Sequence, residues 1–172
     1  MSLKYISLSE QRFLLDTNIY GLLAEKTQVR QKLEENLEKK KIVIYGANVI
    51  RRELRKVPKD SRLEGKKLRL VLLQLYDKVI KKELITTDLA ISLAKKYFNE
   101  YRKLGGINSY NKLKNDFLIV ALSSLYALDI IVTEDNKTMA SKRANQSYLI
   151  VNTKNKLRTP KFIGFKDFYL IL

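Results

Sequence analysis

Short apolar runs alternate with longer helical stretches along this chain. Four apolar runs predict strands, at 13–15, 41–46, 129–135 and 147–152. Stretches with apolar residues three and four apart predict six helices, at 18–26, 29–40, 47–58, 66–80, 86–106 and 111–128. The last residues, 165–172, predict a short helix or strand. The alternation favours an α/β fold with a mostly parallel sheet, and we expect a single domain over residues 1–172.

Two acidic residues follow predicted strands directly. Asp16 ends the first apolar run and Asp135 lies just past the third. Each one alone is explained by helix capping, which favours aspartate at such positions. However, ligands of parallel α/β sheets bind beyond the carboxyl ends of the strands. We therefore expect Asp16 and Asp135 to share one edge of the sheet.

Two further acids lie on the apolar faces of predicted helices. Glu53 shares its face with Ile50 and Val57, and Asp116 begins a helix that is apolar nearly all round. A buried carboxylate costs several kcal/mol unless it is paired, protonated or bound to metal. The alternatives are an edge-of-face Glu53 paired with a lysine, and an Asp116 favoured by the helix dipole.

The charge balance points to a polyanionic partner. The chain has 34 Lys and Arg against 18 Asp and Glu, a net charge of +16. Such a surplus favours nucleic acid as partner, through neutralisation of phosphates, although a solvated lysine-rich surface is the alternative. No apolar stretch is long and uninterrupted enough to span a bilayer, so we expect no membrane association.

The residue types that are missing restrict the chemistry. The chain has no histidine and no cysteine. A Ser-His-Asp triad, a Cys-His pair and a His- or Cys-ligated zinc are therefore excluded, and the absence of cysteine suits a reducing, cytoplasmic location. Four acids on four separate elements instead favour a shared cation site, for which Mg²⁺ and Mn²⁺ are the metals that prefer oxygen ligands.

The four acids occur in short motifs that resemble those of the PIN-domain ribonucleases. The motifs are "LLDTN" (14–18), "VIRRE" (49–53), "KNDFLIVA" (114–121) and "IVTED" (131–135), in the order and rough spacing of that family. The resemblance is closest to the toxin component of VapBC toxin–antitoxin pairs and runs from Phe13 to about Val151. It implies a three-layer α/β/α sandwich with a mostly parallel central sheet. It also implies an acidic pocket made by Asp16, Glu53, Asp116 and Asp135.

The same resemblance implies an activity and partners. Members of the family bind Mg²⁺ or Mn²⁺ in the acidic pocket and cleave RNA. The metal ligands would be Asp16, Asp116 and Asp135, and Glu53 would bind metal directly or orient a water. Small polar residues would support the acids: Thr17, Asn18 and Thr133. Toxin members commonly form homodimers and are blocked by an antitoxin protein, so both are expected partners beside RNA.

Basic residues beside the acids are candidates for holding the RNA strand: Arg51, Arg52, Arg55, Lys112, Lys114 and Lys137. Ordinary solvated helix faces are the alternative for each of them. Other functions also remain open, namely a PIN-fold RNA-processing protein without an antitoxin, or a non-catalytic RNA-binding module. A glycosidase with two carboxylates would fit the missing histidines, but the +16 charge and the absence of tryptophan disfavour it.

Overall fold

The computed structural model describes residues 10–172, in which seven strands and eight helices are assigned. The strands are β1 (Gln11–Leu15), β2 (Ile42–Ala47), β3 (Arg62–Leu63), β4 (Lys66–Lys67), β5 (Ile80–Leu84), β6 (Ile130–Val132) and β7 (Lys161–Ile163). The helices are α1 (Thr17–Glu25), α2 (Thr27–Glu38), α3 (Asn48–Arg55), α4 (Leu68–Val79), α5 (Asp88–Lys103), α6 (Tyr110–Leu125), α7 (Lys142–Lys154) and α8 (Phe165–Ile171).

Five of these strands form a central sheet in the order β5-β2-β1-β6-β7. Every pairing in it is parallel, and Phe13 of β1 lies opposite Ile44 of β2 and Ile130 of β6. Helices α1 to α4 pack together, as do α5, α6 and α7. The α/β/α architecture with a parallel sheet that the sequence implied is confirmed.

Burial explains why the centre of the chain folds this way. Phe13, Leu14 and Leu15 of β1 are fully buried on both faces of the sheet, as is typical of a strand covered by helices on both sides. Helix α6 is buried from Phe117 to Ser124, which accounts for its apolar sequence on every side. No helix within residues 10–172 combines the length and the apolar character needed to cross a bilayer.

The strand predicted at 147–152 is wrong, because these residues belong to α7. Ser141 caps this helix by accepting a hydrogen bond from the backbone of Ala144 at 3.3 Å. The buried residues of α7 include Tyr148 and Val151, three apart, whereas Leu149 is exposed. A short continuous apolar run does not distinguish a strand from a helix by its period. The strand that pairs with β6 at this edge of the sheet is β7.

Two predicted helices also end or begin differently. The helix expected at 47–58 ends at Arg55, and the helix expected at 66–80 begins at Leu68 and gives way to β5 after Val79. A short antiparallel hairpin, β3 and β4, lies between them.

The order of the strands creates a crevice at the carboxyl ends of β1 and β6. From β1 the chain passes through α1 and α2 to β2 on one side, whereas β6 lies on the other side. Parallel sheets bind ligands where the strand order reverses in this way. The segments that follow β1 and β6 therefore border this crevice.

Candidate active site

Asp16 and Asp135 lie next to each other at this crevice. Asp16 follows β1, is only 6% exposed, and its backbone N–H bonds to the carbonyl of Val132 in β6 at 2.9 Å. Its carboxylate Oδ1 accepts the N–H of Thr17 at 2.7 Å, so Asp16 does cap α1. Capping and a position at the sheet edge are thus compatible.

Glu53 and Asp116 reach the same place from helices α3 and α6. Glu53 Oε2 accepts a hydrogen bond from the Thr17 hydroxyl, and its Oε1 accepts one from the side-chain amide of Asn115 at 2.9 Å. Asp116, the next residue along α6, accepts a hydrogen bond from the Thr138 hydroxyl at 2.6 Å. All four acids therefore lie at the carboxyl edge of the sheet.

Threonines connect the four acids one after another. Thr17 bridges Glu53 and Asp16. The hydroxyl of Thr133 donates to Asp16 Oδ2 at 2.7 Å and accepts the backbone N–H of Asp135 at 3.0 Å. Thr138 contacts both Asp135 and Asp116. The result is a continuous chain of hydrogen bonds through Glu53, Thr17, Asp16, Thr133, Asp135, Thr138 and Asp116. Two of its links, Thr17 to Asp16 and Thr133 to Asp135, use a backbone N–H.

Side-chain amides hold this acid chain at Asp16 and at Glu53. Asn18 Nδ2 donates to Asp16 Oδ2 at 2.9 Å, and Asn18 Oδ1 accepts the backbone N–H of Glu134 at 3.3 Å. Asn115 holds Glu53 in the same manner from α6. Each amide joins two elements of the site, so amides hold these carboxylates in place, and no basic side chain of residues 10–172 forms an ion pair with them.

Thr138 and Asn115 were not identified from the sequence. Asp135 Oδ1 accepts the backbone N–H groups of Lys137 and Thr138 at 2.9 and 2.8 Å, and this turn brings the Thr138 hydroxyl back to the acids. An Asp followed three residues later by Thr is a weak local signal for such a turn. Nothing in the sequence near Asn115 indicates its contact with Glu53, which depends on how α6 packs against α3.

Burial and mutual repulsion disfavour the charged forms of two acids. Desolvation raises the pKa of Asp16 above its usual 3.8, and the negative charges of Glu53 and Asp135 add to the effect although hydrogen bonds from Thr133 and Thr17 oppose it. Desolvation likewise raises the pKa of Asp116 to about 7. The hydrogen bond from Thr138 lowers this pKa, and the charges of the other three acids raise it.

Asp135 behaves in the opposite way. Partial burial disfavours its charge, but hydrogen bonds from the side chain of Thr138 and from the backbone of Thr138, Lys137 and Met139 outweigh this and hold the pKa of Asp135 below 3.8. The site therefore combines one acid that stays ionised with a neighbour, Asp116, that changes charge near neutral pH.

The hydroxyl of Thr138 lies between the carboxyl groups of Asp116 and Asp135. Its hydroxyl lies within hydrogen-bonding distance of both Asp116 and Asp135, yet it has only one hydrogen to donate. The second contact is favourable only when one carboxyl carries a proton or a cation lies between the oxygens. Of the two carboxyls, Asp116 binds this proton more readily, because its pKa is raised to about 7 whereas that of Asp135 is lowered.

The donor set fits a hard divalent cation. None of the four acids takes part in an ion pair within residues 10–172. In that part of the chain no three Asp, Glu, His or Cys side chains are arranged closely enough to surround one metal ion. However, Mg²⁺ commonly uses only one or two carboxylates and completes its shell with water and phosphate oxygens. The pair Asp116 and Asp135 offers that number, and the ligand set of three remains a prediction.

The basic residues named from the sequence differ in availability. Arg51 pairs with Asp77, and its guanidinium lies 5.5 Å from the centre of the Tyr76 ring. Lys112 donates to the side chain of Asn108 at 3.0 Å. The remaining four are exposed or face solvent: Arg52, Arg55, Lys114 and Lys137.

Comparison with known proteins identifies the fold. No protein-family model matches the chain, and no curated protein does. Three solved complexes do resemble it. The VapBC2 complex of Rickettsia felis, bound to a promoter DNA fragment, has 14% identity and a TM-score of 0.56, over 90% of this chain and 99% of that one. The DNA-bound VapBC complex of Salmonella typhimurium has 11% identity and a TM-score of 0.55, over 90% and 98% of the two chains.

The third is VapBC-1 of nontypeable Haemophilus influenzae, with 15% identity and a TM-score of 0.55 over 91% of this chain and 99% of that one. Similarity at such low identity establishes a common fold over nearly the whole length of both chains. The PIN-like fold that the sequence motifs implied is thereby confirmed.

Proposed function

We propose that this protein is a metal-dependent endoribonuclease and the toxin of a toxin–antitoxin pair. The observation that carries the nuclease proposal is the chain of four acids without a basic partner in a molecule of net charge +16. Buried groups with strongly shifted pKa values, gathered in a crevice, are typical of sites that act on a ligand.

The charge of the site argues for a cation in the working protein. Four carboxylates without a counter-charge repel the phosphodiester of an RNA strand. A bound Mg²⁺ or Mn²⁺ would reverse that repulsion, polarise the phosphate and make a water molecule more acidic. Asp116 and Asp135 would hold it, with Asp16 as the third ligand predicted from the sequence motifs.

The chain's own residues then have separate tasks. Thr138 sets the distance between the carboxyls of Asp116 and Asp135 through the hydrogen bonds that it makes to both. Glu53 acts as a positioning residue, because it ties α1 to α6 through Thr17 and Asn115. Asp135, whose pKa is held low, stays ionised at neutral pH and keeps a negative charge available for the cation.

The structural neighbours support the toxin part of the proposal. They are complexes named VapBC, and two of them are described as bound to DNA. By analogy, an antitoxin protein would bind this chain and suppress its activity, and the chain would form a homodimer in the cytoplasm. The similarity covers nearly all of this chain and of each of those chains, so it concerns the whole fold and not a fragment of it.

Hydrolysis of a single-stranded RNA tests the nuclease proposal. We expect internal cleavage with Mg²⁺ or Mn²⁺, none in excess EDTA, and recovery when metal is returned. Cleavage that survives exhaustive chelation contradicts the mechanism. RNA that binds but stays intact with either metal points instead to the non-catalytic RNA-binding module.

The toxin proposal has its own test. Induced expression in a bacterial host should arrest growth, and the Asp116→Asn variant should relieve the arrest. Growth that is equal for the two proteins at equal expression contradicts a toxin role while leaving the nuclease proposal to the cleavage assay.

A further inference from the structure

The strands β3 and β4 form a small hairpin between α3 and α4. Its strands β3 and β4 are joined by Glu64 and Gly65, whose φ angles are +48° and +77°. Positive φ at both central residues is the pattern of the tight type I′ turn that suits a hairpin. A two-stranded hairpin is marginally stable on its own, so contacts with the rest of the molecule are needed to hold it.

Three contacts attach the hairpin to the body of the protein. Leu63 packs against the hydrophobic core. The backbone N–H of Leu68 bonds to the carbonyl of Ser61 at 2.9 Å, and Arg69 Nε bonds to the carbonyl of Val57 at 2.7 Å. Both ends of the hairpin are thereby fixed to the loop that follows α3.

The two faces of the hairpin differ in what they present. Leu63 and Lys66 lie opposite each other, so their side chains share the face that packs toward the core. Arg62 and Lys67 form the other opposing pair and share the outward face, where both are exposed. Directly opposite residues have Cβ atoms about 5 Å apart, and like charges there destabilise a strand pair. The outward pair therefore works against folding.

The surrounding segment, residues 51–69, concentrates positive charge. It holds nine Lys and Arg against three Asp and Glu, a net +6 of the chain's +16 within 19 residues. Arg51 pairs with Asp77, and no other basic residue of the segment forms an ion pair within the part of the chain that the structure describes. The outward pair is exposed, and within residues 10–172 neither Arg62 nor Lys67 forms an ion pair.

The basic segment begins inside the candidate active site. Glu53 belongs to it, and α3 ends at Arg55, about 3 Å farther along the helix axis. The loop that starts there carries the hairpin through Val57 and Ser61. The basic hairpin is therefore connected to the helix that carries Glu53 by a single short loop.

We propose that the hairpin and its flanks bind the phosphate backbone of the RNA outside the scissile bond. The inference rests on the proposed ribonuclease function and adds a recognition surface to it. RNA is favoured over an acidic protein because the outward face offers only two charged side chains, and phosphate contacts need no more than that. Such contacts would set the position of the strand without reading its sequence.

The test compares two double variants with equal loss of charge, in the Asp116→Asn background with Mg²⁺ so that the RNA stays intact. Arg62→Gln with Lys67→Gln removes the outward pair. The control, Lys95→Gln with Lys154→Gln, removes two exposed lysines from α5 and α7. The dissociation constant for a single-stranded RNA is measured from low to high salt.

We expect the hairpin variant to bind on the order of tenfold more weakly at low salt, with a log K against log[salt] slope shallower by about 1.4, which is about 0.7 for each lost phosphate contact. The control should stay close to the parent. The hairpin variant should melt no lower than the parent, because it loses a repulsive pair, so weaker binding would not reflect unfolding.

Each outcome separates the two proposals. Equal binding and equal slopes for the hairpin and control variants overturn the hairpin proposal and leave an acidic protein as the candidate partner of this surface. A parent protein that binds no RNA at any salt concentration, together with a wild type that cleaves no RNA with Mg²⁺ or Mn²⁺, overturns the ribonuclease proposal itself, and the hairpin proposal with it.

Discussion

The two ends of strand β6 carry aspartates in contrasting surroundings. Asp129, just before β6, accepts the backbone N–H of Arg12 at 2.7 Å and the guanidinium of Arg158 at 2.5 Å. Asp135, just after β6, forms no ion pair with any basic side chain of residues 10–172, and it is linked to other acids through Thr133 and Thr138. The negative charge at the amino end of β6 is therefore paired with an arginine, whereas the charge at its carboxyl end is not paired within the described residues.

This difference separates a structural acid from a functional one. A chain with 34 Lys and Arg could readily have supplied a cation at the carboxyl edge, as it does at the amino edge. Unpaired buried carboxylates cost stability, so their presence at one edge alone indicates a role that folding does not explain. The predictions below change one edge and use the other as the control.

The largest contrast should appear in RNA cleavage. Asp116→Asn keeps the shape of the side chain and removes its charge, and we expect cleavage with Mn²⁺ to fall on the order of 100-fold or more, the range seen when one charge-stabilising group is lost from an active site. The matched change Asp129→Asn at the amino edge should leave the rate near that of the wild type. Comparable losses in both variants would mean that the two edges do not differ in function.

Thr138→Val should lower RNA cleavage although it leaves all four acids in place. The substitution preserves size and removes the hydroxyl that contacts both Asp116 and Asp135. Loss of a group that orients metal ligands typically costs about 10- to 100-fold in affinity or activity. Thr153→Val is the control, since Thr153 lies on the exposed side of α7, where its hydroxyl bonds to the carbonyl of Leu149. A Thr138→Val enzyme as active as the control would remove Thr138 from the site.

The sequence was most informative where a physical rule links residue order to position. Because parallel strands end at the same edge, the positions of Asp16 and Asp135 followed from two apolar runs that stop at acids. The strand at 147–152 failed because a short apolar run lacks a readable period. Strand β5 was not predicted, because it lies at the edge of the sheet, exposes Lys81 and Lys82, and carries no apolar alternation.

The contacts that complete the site could not be inferred in the same way. Thr138 reaches the acids only because the turn at Asp135 folds the chain back. Asn115 of α6 contacts Glu53 of α3, although the two residues are 62 apart in sequence. Both contacts are products of packing rather than of local pattern, and this explains why the acids were recognisable when their supports were not.

Thermal stability should respond with opposite signs at the two edges. In EDTA at pH 8, Asp129→Asn removes a charged hydrogen-bond acceptor and should lower the free energy of unfolding by about 1–3 kcal/mol. Asp116→Asn relieves repulsion among the acids and should raise the melting temperature, by roughly 2–4 °C for each kcal/mol released in a chain of this length. Thermal melts of the three proteins side by side measure this. A loss of stability in both variants would contradict the distinction.

The smallest effect concerns pH. Because the pKa of folded Asp116 is raised from 3.8 to about 7, the folded protein binds more protons than the unfolded chain between these values. Its stability contribution is therefore lost as pH rises toward 7. Acidifying metal-free wild type from pH 8 to pH 6 should raise its melting temperature relative to Asp116→Asn. Parallel pH profiles for the two proteins would show that Asp116 does not titrate in this range.

Direct titration of Mn²⁺ into metal-free protein by calorimetry tests the central claim, that the carboxyl-edge acids exist to hold a divalent cation. We predict saturable binding to the wild type, the same affinity in Asp129→Asn, and affinity about 10- to 100-fold weaker in Asp116→Asn, comparable to the loss of a conserved supporting group at known metal sites. A wild type that binds no Mn²⁺, or an Asp116→Asn variant that binds it equally well, would contradict the account.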